Sequence, residues 1–399
     1  ILMKKINISV VDQVIYSSTP FILFLILSNN TNVTTFAILS STYTINILFT
    51  SLYQAYLVEP VITHWDSLDK DTRNKIIKKR LTVSIQESFL VQIISMLFAA
   101  FLLLNILGLS LTTCIYILLM WVSGISTSTI FLSRRLFYLS DNNNKSIYIS
   151  SAYLFLSVIL IIIFIDLINY FSGYFYLFIS ISALLTNILT TNKNLKSSVK
   201  PLSFNFKEII KEYRIFDLLT VPSGWILSNM YLSFGILYLS KIHISELKTY
   251  MMIASIGLAI HPIIHNVYIV KLKIKNKKTM LEYAVPLFSF TFIYLMVFWF
   301  LREYIYFSLF PTFSFNSDVY LVALLYSFSG ILWLSVSTIF RALKQGRAIF
   351  FIYLSGALCL TIFFFFNSAN TVYDAILHHT ISSLLSLLTA IYYLIFKYE

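Results

Sequence analysis

Between residues 154 and 165 the chain reads LFLSVILIIIFI, apolar on every face that a helix could present. A segment with no polar side belongs in a bilayer or in a very large core. The rest of the chain excludes the core, because hydrophobic residues fill 58% of its 399 positions and charged ones only 12%, against about 25% charged in ordinary globular chains. A span takes about 20 apolar residues, and twelve stretches of that kind can be placed, at 7–28, 36–63, 81–104, 110–133, 147–165, 168–191, 215–239, 247–270, 279–301, 319–340, 348–366 and 372–396. The expected fold class is an all-α polytopic membrane protein with twelve transmembrane helices. A strand-built barrel would instead show short segments of alternating polarity.

A net charge of +12 would suggest a nucleic-acid partner if the charges were spread evenly. Mapped onto the spans, they are a topology signal. Every Lys and Arg except Lys241, Lys248 and Arg302 falls at the two termini or in the segments after spans 2, 4, 6, 8 and 10. By the positive-inside rule both termini face the cytoplasm. The runs KDTRNKIIKKR (70–80) and KLKIKNKK (271–278) then lie against anionic lipid, and no nucleic-acid partner is expected. Lys4 and Lys5 precede a long first span with no small-residue cleavage site, so that span is expected to stay as an anchor. Cys114 and Cys359 have no metal or redox spacing.

Internal repetition divides the spans into halves. STSTIF (126–131) aligns with SVSTIF (335–340), and after a basic loop IYISSAYL (147–154) aligns with IYLSGALC (352–359). A weaker match sets NVTTFAILSS (32–41) against HISELKTYMM (243–252). We expect an N-terminal six-helix lobe over 1–200 and a C-terminal one over 217–399, related by a pseudo-two-fold axis along the membrane normal. Between them, 201–216 puts apolar residues at 202, 206, 209, 210, 213 and 216 on one helical face and Lys207, Glu208, Lys211 and Glu212 on the other. This pattern suits an amphipathic linker helix on the cytoplasmic surface; a solvated linker is the alternative.

The stretch VDQVIYSSTPFILFLILSNNTNVTTFAILSSTYTINILFTSLYQAYLVEP (11–60) resembles the N-terminal signature of bacterial polysaccharide flippases. These are the Wzx-like O-antigen and capsule transporters of the multidrug/oligosaccharidyl-lipid/polysaccharide exporter superfamily. The matching features are Asp12-Gln13 before a hydroxyl cluster, Phe36 closing a short outer loop, and Glu59-Pro60 ending span 2. Thr35 stands where the family usually has Gly before that aromatic. KEYRIFDLLTVPSGWILSNMYLSFGILYLS (211–240) is similar to the start of the family's second half. The resemblance implies a flippase, not an enzyme, in the bacterial cytoplasmic (inner) membrane. It would move a polyprenyl-diphosphate-linked oligosaccharide from the cytoplasmic to the outer leaflet by alternating access, for surface polysaccharide biosynthesis. No cofactor is implied; a proton or Na+ is the candidate coupling ion.

The residues themselves offer candidates. Intramembrane acids are costly and so point to function: Asp12, Glu59 and Glu87 lie near the cytoplasmic ends of spans 1 to 3, with Asp217 and Glu282 in comparable places. Asp12 suits either a cavity acid or a helix-start residue favoured by the dipole. Pro20 in span 1, and Pro222 with Gly224 in span 7, mark either hinges or static kinks in the first helix of each half. Sugar hydroxyls would need amides and hydroxyls such as Asn46, Gln54, Asn229, Asn266 and the tyrosines, with Gln13 a further cavity candidate; a pyrophosphate would need cations, and Arg134 and Arg341 sit nearest the apolar cores of repeat-equivalent helices. His261 and His265 stand four apart in span 8 but lack a third ligand in the neighbouring sequence, which favours hydrogen-bonded cavity histidines over a metal site. His378 and His379 are expected at the outer headgroup region.

Two other functions compete. A cation-coupled small-molecule or multidrug exporter of the same superfamily would place acids near the midplane. A membrane-embedded glycan polymerase or glycosyltransferase would need a large extramembranous loop, yet the longest outward segment, about 301–318, carries only Arg302, Glu303 and Asp318 as charges.

Overall fold

The computed structural model describes residues 2–58, 108–139, 143–190, 214–259, 277–342, 345–367 and 369–396, with scattered positions between 73 and 105. Its elements are α1 (Leu2–Asn30), α2 (Val33–Tyr53), α3 (Leu111–Leu139), α4 (Asn143–Ile163), α5 (Ile165–Tyr170), α6 (Tyr174–Thr190), α7 (Arg214–Phe234), α8 (Lys241–Leu258), α9 (Lys277–Phe300), α10 (Arg302–Leu309), α11 (Ser317–Ala342), α12 (Gly346–Phe366) and α13 (Val372–Phe396). The protein is an all-α, multi-pass membrane protein. Seven described helices are long and apolar enough to cross a bilayer, or eight if α9 and α10, bent by 80° at their junction, count as one broken span. The expected span 81–104 and the linker at 201–213 lie largely or wholly outside the described residues.

Two features differ from the sequence expectation. The segment after span 9 is not an open loop: α10 folds back from α9 and buries Tyr306 completely. Aromatic content explains this, because Tyr306 gathers Phe307, Phe310, Phe315, Tyr250 and Tyr320 around it at ring-centroid distances of 5.0 to 6.5 Å. The region expected as span 6 is divided between α5 and the 17-residue α6, with a turn at residues 171–173.

Hydroxyl-rich helices survive in an apolar setting because their polar atoms bond locally. In α1, Ser18 and Thr19 both donate to the Ile15 carbonyl, at 2.9 and 3.1 Å, and Gln13 donates to Ser17 at 2.9 Å. Back-bonding of this type competes with solvent for the hydroxyl and removes its desolvation cost. α1 continues through Pro20, which lacks an N–H to give the ladder. Starts are capped: Asn32 accepts from Thr35 N–H, Ser240 from His243 N–H, and Asn316 from both Asp318 and Val319 N–H. At α13, Thr371 and Asp374 cap each other's backbone N–H groups reciprocally.

The chain divides into two compact units. Unit 1 comprises residues 1–23 and 42–218; unit 2 comprises 24–41 and 219–399. In unit 1, α3, α4 and α6 pack on one another pairwise, and α3 also packs against the π-helical turn Gln54–Val58 that ends α2. In unit 2, α11, α12 and α13 do the same, with α8 against α11 and α13. The C-terminal end of α1 and the N-terminal half of α2 belong to unit 2, pinned there by Asn29 donating to Leu309 O, Thr312 to Ser28 O and Ser245 to Val33 O at 3.0 to 3.3 Å. Phe24, Phe36 and Phe313 fill the space beneath, and the Lys248 ammonium lies 4.2 Å from the Phe24 ring centre.

Candidate functional site

The interior of unit 1 holds a buried ion pair. α1 supplies Asp12, α3 supplies Arg134 and α4 supplies Ser150; their relative exposures are 0%, 1% and 0%. Arg134 Nη2 meets Asp12 Oδ2 at 2.5 Å and Nε meets Oδ1 at 3.4 Å, a two-pronged contact on one carboxylate. Ser150 Oγ donates to the same Oδ1 at 2.5 Å. Over the guanidinium plane lies Tyr16, one helical turn beyond Asp12, with its ring centre 3.7 Å from Cζ. A guanidinium suits this setting because it is planar, weakly hydrated and able to stack and bond at once. Its Nη1 is buried without a hydrogen-bond partner. Three helices thus converge on a neutralised charge pair with one donor edge left over.

Other polar contacts join helices of the same unit along their length. Thr42 Oγ1 lies 3.0 Å from Tyr116 Oη and 2.7 Å from Tyr176 Oη, joining α2, α3 and α6. Asn187 of α6 donates to Thr129 at 2.6 Å and accepts from Ser133 at 3.1 Å. Asn46 is buried and donates to Ser123 at 3.4 Å. Among the described residues Asp12 is the one buried carboxylate.

The sequence candidates fall as follows. Asp12 and Arg134 are brought together, Asn46 bonds Ser123 elsewhere on α3, Gln13 is half-buried on α1, and Gln54 is half-buried in the π-helical turn. Asn229 is half-buried on α7 in unit 2. Asp217 and Arg341 are on α7 and α11, but their side chains, like the whole of His261 and His265, lie outside the described residues. Pro20 and Pro222 stand inside unbroken helices. Gly224 makes room for a ring: a β-carbon there would come within 2.8 Å of Tyr353. No group of three or more metal-ligating side chains occurs among the described residues.

Sequence reasoning missed Ser150 and Tyr16, and it did not foresee the burial of the histidine pair. Ser150 and Tyr16 look like any other hydroxyl and aromatic in a rich background, and only their place beside Asp12 singles them out. His378 and His379, expected at the outer headgroup region, are covered by protein. They are 5% and 0% exposed inside unit 2, because α13 starts at Val372 and carries them into its second turn. Tyr231 Oη bonds His378 Nδ1 at 2.7 Å, and His379 Nδ1 lies 2.8 Å from Leu227 O.

The fold has known counterparts. Over 98% of its length the chain is similar to the lipid II flippase MurJ in an inward closed conformation, with TM-score 0.70, 13% identity and 87% of that chain covered. It is also similar to a MOP superfamily transporter from Pyrococcus furiosus (TM-score 0.66, 12% identity, 98% of this chain and 95% of that one). A third counterpart is a multidrug resistance MATE family transporter in an outward-facing conformation (TM-score 0.65, 11% identity, 98% and 94% covered). At such identities the likeness is one of fold, extending over nearly the whole chain. No family model matches the sequence, and no curated protein matches it.

Proposed function

We propose that this protein is a transporter that flips a polyprenyl-diphosphate-linked oligosaccharide from the cytoplasmic to the outer leaflet for surface polysaccharide synthesis. The fold supports transport, since both a lipid-linked-substrate flippase and multidrug exporters share it. The observation that carries the choice between them is the Asp12–Arg134 pair. A cation-coupled exporter needs an acid free to exchange a proton or Na+, whereas the one buried carboxylate among the described residues is already held by a guanidinium and a serine. A pyrophosphate, by contrast, calls for donors, and Arg134 keeps Nη1 for one.

In this scheme twelve spans form two six-helix lobes related by an axis along the membrane normal, both termini are cytoplasmic, and the lobes rock to give alternating access. Polar residues of the first two spans of each half line a central cleft. Asp12 positions Arg134, and Arg134 or Arg341 receives the diphosphate. Gln13, Asn46, Gln54, Asp217, Asn229, His261 and His265 are the candidates for sugar contacts, and the prolines with Gly224 act as the flexing points.

Deletion of the gene should make lipid-linked repeat units accumulate on the cytoplasmic face, and restoring the gene should clear them. Arg341→Ala should then impair export at unchanged protein level, with Arg341→Lys recovering part of it. Normal surface glycan in the deletion strain removes the proposed substrate.

A further inference from the structure

α9 is long enough to cross a bilayer without help. It begins at Lys277, at the end of the basic run KLKIKNKK, and its 24 residues end at Phe300. At about 1.5 Å per residue that is about 36 Å, against about 30 Å of hydrocarbon. With Lys277 and Lys278 at one headgroup level, Phe300 arrives at the other. A straight continuation would carry α10 into water. The chain instead bends by 80° between Phe300 and Arg302. For a span at the usual tilt of about 20°, α10 then runs within about 30° of the bilayer plane.

The two sides of α10 differ. Tyr306 and, just past the helix end, Phe310 are completely buried in the ring cluster of unit 2, 5.6 Å apart between centroids. On the opposite side Leu301, Tyr304 and Phe307 are 50%, 75% and 50% exposed, and Phe300, one turn before Tyr304, is 74% exposed. An apolar face this open belongs against a membrane or a partner. It continues the face of α9 on which Phe292, Ile293, Met296 and Val297 are 40% to 59% exposed. Lipid is the one occupant that both stretches share, because α9 spans the bilayer and its open side meets acyl chains. The polar residues agree. Arg302 places its guanidinium 4.7 Å from the Trp299 ring centre and donates from Nη1 to Trp299 O at 3.3 Å. Its Nη2 has only Glu303, 64% exposed, at 3.9 Å, a separation that holds it weakly. Trp, Tyr and Arg gathered at the end of a span are the composition of a membrane–water interface.

We propose that α10 is an interfacial lipid-binding helix. Leu301, Tyr304 and Phe307 enter the boundary between acyl chains and headgroups in the leaflet opposite the basic segment 271–278, and Arg302 pairs with a phospholipid phosphate there. The guanidinium supplies charge-assisted donors to the phosphate, and the Tyr304 ring can lie among chain ends while its hydroxyl stays wet. Through Tyr306, which stacks on Tyr250 of α8 and meets Tyr320 of α11 edge-on, the helix ties the packed interior of unit 2 to the bilayer surface. The surface is the same whatever the protein transports.

The full chain is tested in vesicles of phosphatidylethanolamine and phosphatidylglycerol. With Cys114 and Cys359 replaced by serine, a nitroxide is attached in Tyr304→Cys, Phe307→Cys or Glu303→Cys, three exposed positions whose replacement leaves the packed side of α10 intact. Collision with oxygen, compared with a water-soluble nickel chelate, reports depth. Labels at 304 and 307 should favour oxygen, about 5–10 Å into the headgroup–acyl boundary, and the label at 303 should favour nickel. Nickel access at all three sites puts α10 in water, a midplane depth makes it a re-entrant segment, and shielding from both colliders makes the face a contact with a second copy; each result overturns the proposal. For the phosphate, arginine is labelled with 15N and its dephasing by 31P is measured in the same vesicles. Part of that signal should vanish in Arg302→Gln and should be missing for the parent in phosphate buffer with a phosphorus-free detergent. No loss in the variant removes the phosphate contact, and persistence in the detergent arm makes free phosphate, not lipid, its partner.

Discussion

The two units differ in what they bury at their centres. Unit 1 buries a charge pair, with Asp12 held between Arg134 and Ser150. Unit 2 buries neutral polar groups, among them His378, His379, Ser382 and Ser386. An ion pair in a low-dielectric interior is stable only while both partners stay, whereas losing one neutral hydrogen bond costs less. Unit 1 should therefore be brittle to single substitutions at its centre and unit 2 tolerant, although both contain three helices packed pairwise.

The largest effect that would test this contrast is Arg134→Ala. It strands the Asp12 carboxylate and should destabilise the protein by about 3–5 kcal/mol, read as a lower melting temperature in detergent, with Asp12→Leu/Arg134→Met recovering most of the loss. A single variant as stable as the parent would mean the pair contributes nothing, and the contrast fails. Next in size is Gly356→Ala in unit 2, where a methyl would press on Ser386 Oγ and the Ser382 carbonyl. Overpacking of that kind costs about 1–3 kcal/mol. If it costs as much as Arg134→Ala, unit 2 is as rigid as unit 1.

Smaller still is Tyr231→Phe, which removes one hydrogen bond to His378 and should cost about 1 kcal/mol in thermal unfolding. A loss several times larger would show that the histidine pair is held as tightly as Asp12. At the bottom of the range, Lys248→Met exchanges an ammonium over Phe24 for an apolar chain, and a change of about 0.5–1 kcal/mol is expected. A much greater loss would give Lys248 a partner beyond that ring.

Much of the fold is legible in the chain. Eleven of the twelve expected spans overlap described helices, and the polar residues inside them are explained by back-bonds to carbonyls three or four residues away, such as Ser18 and Thr19 on Ile15. Asp12 and Arg134 were each visible as charges out of place. Their partnership was not, since 122 residues separate them and nothing in either neighbourhood points to the other. The fold-back of α10 was hidden for a similar reason: its apolar rings become a core only when Tyr250 and Tyr320 arrive from other helices.

The sequence by itself determined that this chain lives in a membrane and does so as helices. In hydrocarbon every backbone group must be satisfied within its own segment, so composition over about 20 residues is enough to decide. Only the tertiary structure decided which charges neutralise one another and which polar atoms stay open. Asp12 is a held counter-ion rather than a free acid because α3 and α4 bring Arg134 and Ser150 within 3 Å of it, and His379 is a buried residue because α7 brings the Leu227 carbonyl to its ring. Such proximity is a property of packing in space, and no local stretch of chain encodes it.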